Sequence, residues 1–126
     1  MVKNFYALGL MSGTSMDGFD FSFIKSDGVS KIKVLKNQYF KLEKDLVNDI
    51  RILINKLNND FDKTIKSELF LCTQKKFSEL VIINTKKFIK TNKINLNLVD
   101  VIGIHGVTLI HSPKNNISIQ IGDSQY

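Results

Sequence analysis

The residues best suited to chemistry lie near the N-terminus, in Leu8-Gly9-Leu10-Met11-Ser12-Gly13-Thr14-Ser15-Met16-Asp17-Gly18. An apolar run from Phe5 to Met11 stops in small, hydroxyl-bearing and glycine residues, and a second alternating run from Phe19 to Ile24 follows at once. Two apolar runs around such a cluster predict a β-hairpin with a functional loop. Gly13 and Gly18 permit positive φ and let the backbone approach a ligand closely. Backbone amides and the hydroxyls of Ser12, Thr14 and Ser15 then point into one concavity, a nest suited to phosphate. Asp17 adds a carboxylate able to hold a hydrated divalent cation such as Mg2+, which keeps its waters and takes few protein oxygens. The loop is not a Walker loop, because no Gly-Lys-Ser/Thr ends it and a strand follows. Its bland alternative is an ordinary hairpin turn, with Asp17 and Gly18 supplying turn chemistry.

The elements that must position this loop are legible in outline. Phe5 to Met11 predicts a central strand, apolar on both faces. Phe19, Phe21 and Phe23 give a second strand with one buried side. After the turn Ser26-Asp27-Gly28, Lys31 to Leu42 alternates again, with Ile32, Val34, Tyr39 and Phe40 expected on the buried side; the three make an antiparallel meander. The period then changes: Leu46, Ile50, Leu53, Ile54 and Leu57 share one helical face, with Glu43 and Asp45 in the first turn and Asn58-Asn59-Asp60 as its end. A second helical region runs from about Asp62 to Lys90, with Leu69, Phe77, Leu80, Val81 and Phe88 on one face and an irregularity expected at Phe70 to Thr73. Strands at Asp100 to Ile104, Thr108 to His111 and Ile117 to Ile121 follow, the last two separated by a bend at Pro113.

Composition narrows the class. The 126 residues are 43% hydrophobic and 24% charged, the profile of one modest globular domain. The net charge is +6, carried almost entirely by lysine because Arg51 is the only arginine. Base-edge readers rely on arginine forks, so the scattered lysines predict a solvated surface and no nucleic-acid partner. Cys72 is alone, which fits a reducing compartment. The apolar start contains Gly9 and ends in the loop, so it is neither a secretory signal nor a membrane span. Together these predict a cytoplasmic protein with no membrane partner.

Leu10-Met11-Ser12-Gly13-Thr14-Ser15-Met16-Asp17-Gly18-Phe19-Asp20 resembles the opening signature of the anhydro-N-acetylmuramic acid kinases, within the actin, sugar-kinase and heat-shock-chaperone ATPase superfamily. A second block, Asp100-Val101-Ile102-Gly103-Ile104-His105-Gly106-Val107-Thr108, then His111-Ser112-Pro113, then Ile119-Gln120-Ile121-Gly122-Asp123, is similar in order and spacing. The resemblance implies a mixed α/β fold: an incomplete ribonuclease-H-like core of the actin-like ATPases, with the meander, helices and further strands. It implies that Gly13, Thr14, Ser15, Met16, Asp17, Gly18, Phe19 and Asp20 meet ATP and its Mg2+, the metal reaching Asp17 through water. It implies that His105, Gly106 and Thr108 line a sugar pocket. The implied reaction phosphorylates 1,6-anhydro-N-acetylmuramic acid with ATP while water opens the anhydro ring, giving N-acetylmuramic acid 6-phosphate for cell-wall recycling. On residues alone, His105 beside glycine also reads as a turn or core histidine, and Gln120, Gly122 and Asp123 as strand-end and turn residues.

Two departures stand out. The family usually carries Gln after His-Gly, whereas Val107 offers no side-chain donor or acceptor. The family's catalytic aspartate belongs to a glycine-rich stretch beyond Tyr126, so the resemblance assigns no catalytic residue here. The expectation is a partial N-terminal lobe spanning residues 1–126 of a two-lobed kinase, inactive alone. Apolar surface near Ile117 to Ile121 is expected to be exposed, giving marginal solubility or a homodimer that covers it. Two rival readings are a non-catalytic nucleotide-binding remnant or interaction module and, well behind, a small basic nucleic-acid-binding domain.

Overall fold

The computed structural model describes residues 3–13 and 15–122. The chain opens with three antiparallel strands, β1 (Phe5–Ser12), β2 (Gly18–Ser26) and β3 (Ile32–Lys41). Helices α1 (Lys44–Asn59), α2 (Phe61–Ile65) and α3 (Glu68–Thr91) follow, and then strand β4 (Val101–His105). Strands β5 (Val107–Ser112) and β6 (Ile117–Ile121) form a separate hairpin. The larger sheet has the order β3-β2-β1-β4, with β4 parallel to β1. This is the expected mixed α/β architecture, with β1 central.

One face of the sheet is filled and the other is open. Leu8 and Leu10 of β1 stand opposite Phe23 and Phe21 of β2, and all four are buried. Helix α3 lays Phe77 against Phe19 at 5.3 Å between ring centroids and Phe88 against Phe21 at the same distance. Helix α1 buries Leu46, Ile50, Leu53 and Leu57, the stripe its periodicity predicts, and contacts α3 and β5. On the opposite face Gly9 stands beside Gly103 with nothing above either Cα. The sequence suggested a first strand covered on both sides, but Met11 on this face is 57% exposed.

Three expectations are corrected by the packing. Ile117 and Ile119 are half-buried and Ile121 fully buried, because β6 folds back with β5 toward α1 and α3. Among the strands that follow the helices, the exposed large apolar side chains lie instead on β4, at Val101, Ile102 and Ile104. On β3, Ile32, Val34 and Tyr39 are exposed, and Leu35 and Phe40 pack toward the core. A register shift between Phe23 and Ile24 turns the first part of β3 over. The helical break comes at Lys66 and Ser67, not at Phe70 to Thr73, because the Ser67 hydroxyl accepts from the Phe70 amide and caps α3.

Inside α3, Thr73 is fully buried, and its hydroxyl has no hydrogen-bond partner among the described residues. A buried hydroxyl without a partner costs on the order of 1–3 kcal/mol. Thr73→Val keeps the shape and removes the polar atom, so it should add about 1 kcal/mol of stability and raise the urea midpoint accordingly. A lowered midpoint in the same melt would mean that the hydroxyl is satisfied in solution.

Candidate functional site

The β1–β2 loop is held at both ends. The Leu42 amide donates to the Asp17 carbonyl at 2.8 Å, tying the loop exit to the β3–α1 junction. At the entrance, the buried Ser12 hydroxyl donates to the His105 carbonyl at 3.4 Å. Between them the Met16 amide closes a turn on the Gly13 carbonyl at 3.0 Å. Neither Gly13 nor Gly18 takes positive φ; Met16 is the left-handed residue, at φ 54°. Gly18 is needed for clearance, since a Cβ there would lie 2.4 Å from the Tyr39 ring and 2.5 Å from the Phe40 carbonyl oxygen.

Asp17 is exposed, and its carboxylate accepts from the Ser15 hydroxyl at 2.6 Å. The Ser15 bond, with the amides of Asp17 and Gly18 and the Tyr39 hydroxyl, holds its carboxyl below the usual carboxylate range. Loss of water, then the Asp17 charge, pushes the Tyr39 phenol up. The Ser15 hydroxyl, one of the donors a phosphate nest would use, is thus already taken by this carboxylate. No group of three His, Cys, Asp or Glu side chains among the described residues forms a metal cage. Asp17 thus fits Mg2+ only through water.

Parallel pairing of β4 with β1 sets Met11 beside His105, directly after which the chain turns into β5. Ser12, Gly13 and Met16 from the loop and His105, Gly106 and Thr108 from the β4–β5 corner then line one concavity of about 290 Å³. Gly106 makes the corner possible: a Cβ there would lie 1.9 Å from the Ile121 carbonyl oxygen. Thr108 is exposed, and its hydroxyl accepts from the Gln120 side-chain amide at 3.2 Å.

The other predicted residues are placed elsewhere. Ser15 and Asp17 line a second concavity, with Lys41 and residues of α1. Asp20 opens onto the uncovered sheet face with His105. The Phe19 side chain is fully buried against Phe77, which leaves only its backbone to face a ligand. Val107, where Gln was expected by resemblance, does line the first concavity, between Gly106 and Thr108, but is itself buried in the core. Thr14 and Asp123 lie outside the described residues. Sequence reasoning missed Ile54 and Leu109, which wall the first concavity. It also missed the Tyr39 hydroxyl on Asp17.

A meander with a parallel fourth strand, its first hairpin loop facing the end of that strand, is the architecture of an actin-like ATPase core, here incomplete. The family model for anhydro-N-acetylmuramic acid kinase matches residues 5–126, and the chain belongs to that family. It is 36% identical over 123 residues to the anhydro-N-acetylmuramic acid kinase of Pelagibacter ubique, covering 98% of this chain and 32% of that protein. The corresponding kinases of Rhodopseudomonas palustris and Agrobacterium fabrum are 32% and 29% identical, over 94% and 93% of this chain and 32% and 31% of theirs. The chain therefore spans about a third of the length of the curated relatives it matches. No helix among the described residues is long and apolar enough to cross a membrane.

Proposed function

We propose that this chain supplies the phosphate-facing loop and one wall of the sugar pocket of an ATP-dependent kinase for 1,6-anhydro-N-acetylmuramic acid, which opens the anhydro ring to give the 6-phosphate. The observation that carries this reading is the single concavity lined by Ser12, Gly13 and Met16 together with His105, Gly106 and Thr108, two blocks far apart in sequence. Phosphoryl transfer needs donors fixed in place where charge collects on the transferring group. The loop provides such a frame, because the bonds from Ser12 to His105 and from Leu42 to Asp17 fix its two ends. Mg2+ bound through water to Asp17 would neutralise phosphate charge there. The exposed His105 and Thr108 side chains suit hydroxyls of a sugar.

The test is titration of the chain with a non-hydrolysable ATP analogue and Mg2+, and separately with the anhydro-sugar, followed by amide NMR. The nucleotide should shift Ser12, Gly13 and Met16, and the sugar should shift His105, Gly106 and Thr108. His105→Ala should weaken the sugar about tenfold, the loss of roughly one good hydrogen bond. Silence of both sets of amides would refute the reading.

A further inference from the structure

Strand β4 closes one end of the larger sheet and is bonded to β1 on one side only. Every second amide and carbonyl therefore points outward along an open edge. The register sets Ile102 beside Leu8 and Ile104 beside Leu10, on the face that packs against the helices. The two leucines are buried, yet Ile102 is 47% exposed and Ile104 39%. The core thus stops at β1 and leaves two isoleucines at its rim. Val101 on the opposite face, and Leu96 and Leu98 in the turn before β4, are exposed as well.

The two edges of this sheet differ in charge. Strand β3, the other edge, carries Lys33, Lys36 and Lys41. In a chain of net charge +6, lysines on an edge repel a second copy. From Leu96 to His105 the only acidic or basic residue besides His105 is Asp100, whose carboxylate accepts from the Tyr6 amide. Strand β4 itself has no lysine, no proline and no register shift to blunt it. An edge without cations suits another such edge, and the same strand of a second copy is one. Antiparallel pairing of two β4 strands about Gly103 matches all five residues. Ile102 then faces Ile104 of the second copy, Val101 faces its His105, and the two glycines face each other. The two-fold axis stands perpendicular to the sheet, so all four isoleucines share the helix-packed face and extend the core across the junction. Such a pair covers the half-exposed side chains and both strand edges, on the order of 1,000 Å², which is the least that a specific interface needs.

We propose that the open edge of β4 is a dimerisation surface whose occupant is the β4 edge of a second copy of this chain, joined antiparallel about Gly103. Two four-stranded sheets then become one continuous sheet. The interface goes beyond the kinase reading, since it needs neither the β1–β2 loop nor a ligand. It is the same patch on both copies, so association closes at two. The contact is apolar and is opposed by the positive charge of each copy, so added salt should strengthen it.

The test is sedimentation equilibrium of the full chain from low to high micromolar concentration. Its mass should rise toward twice the 14.4 kDa of one chain and no further, with a dissociation constant in the micromolar range. Ile104→Lys and Val101→Lys each give β4 the charge that guards β3, and each should weaken association about tenfold or more. Ile32→Lys, at an exposed position of β3, should leave it unchanged. Circular dichroism checks that the variants fold. In the unaltered chain, amide exchange at residues 101–105 should slow as concentration rises, a readout that needs no substitution. A chain that stays monomeric leaves this edge to a different polypeptide and overturns the proposal. So do growth beyond two copies, a dimer that survives both β4 substitutions, equal loss with Ile32→Lys, or β4 exchange independent of concentration.

Discussion

Phe77→Ala will remove on the order of 3–5 kcal/mol of stability, a large part of the roughly 5–15 kcal/mol expected of a domain this size. Phe77 is fully buried on α3, and its ring meets the Phe19 ring edge-on at 5.3 Å and 64°. The lost area and the cavity add to an edge-to-face contact worth about 0.5–1.5 kcal/mol. The ring also lies against the end of β6: a Cβ on Gly122 would sit 3.3 Å from Phe77 Cε1. One side chain therefore supports the first residues of β2, just after the loop, and the chain leaving the β5–β6 hairpin. Urea denaturation followed by far-ultraviolet circular dichroism should show a sharply lowered midpoint. Phe77→Leu, which keeps most of the volume, should fall between the two. A loss below about 1 kcal/mol for Phe77→Ala would contradict this packing.

What the sequence reveals and what it hides divides along local and nonlocal pattern. The phenylalanines of β2 and the leucines and isoleucines of α1 announce their buried faces, because a period of two or of 3.6 is written into neighbouring residues. The turn at Asp27 is equally local. Its carboxylate accepts from the amides of Val29, Ser30 and Lys31 at 2.9–3.0 Å. Those bonds, the Lys31 amide first, hold its carboxyl down to about 2. The folded value lies below the ordinary one, so this anchor acts in full above about pH 4 and is lost as pH falls toward 2. The inward side of β3 was hidden, since alternation read from Ile32 and Val34 runs past the register shift opposite Phe23 and Ile24. The site was half legible. Both of its blocks were visible as residue types, but their meeting depends on β4 pairing parallel to β1, secured by the Asp100 carboxylate accepting from the Tyr6 amide at 2.8 Å. No short window of sequence carries that contact. The same holds for the second concavity, where the Leu42–Asp17 bond ties the loop to the start of α1 and Lys44 and Arg51 line the same hollow as Ser15 and Asp17.

Gly106→Ala should cost about 3 kcal/mol and also weaken ligand binding at the shared pocket. A Cβ at this position would lie 1.9 Å from the Ile121 carbonyl oxygen and 3.0 Å from its carbon. Both are backbone atoms, so no rotamer change relieves the overlap. Either the β4–β5 corner moves outward or the Val107–Ile121 end of the small hairpin opens. Each route shifts His105 and Thr108 relative to Ser12 and Gly13, and misplacement of about 1 Å at a reacting site is expensive. The comparison that isolates this cause is Gly103→Ala, three residues earlier, where a Cβ would meet nothing within 4 Å. Gly103→Ala should keep its urea midpoint and its nucleotide and sugar affinities, whereas Gly106→Ala should lower the midpoint and both affinities, with the largest amide shifts at Val107, Ile121 and Gly122. Equal behaviour of the two variants would mean that β6 does not press on the corner, and the pocket built from loop and corner would lose its physical basis.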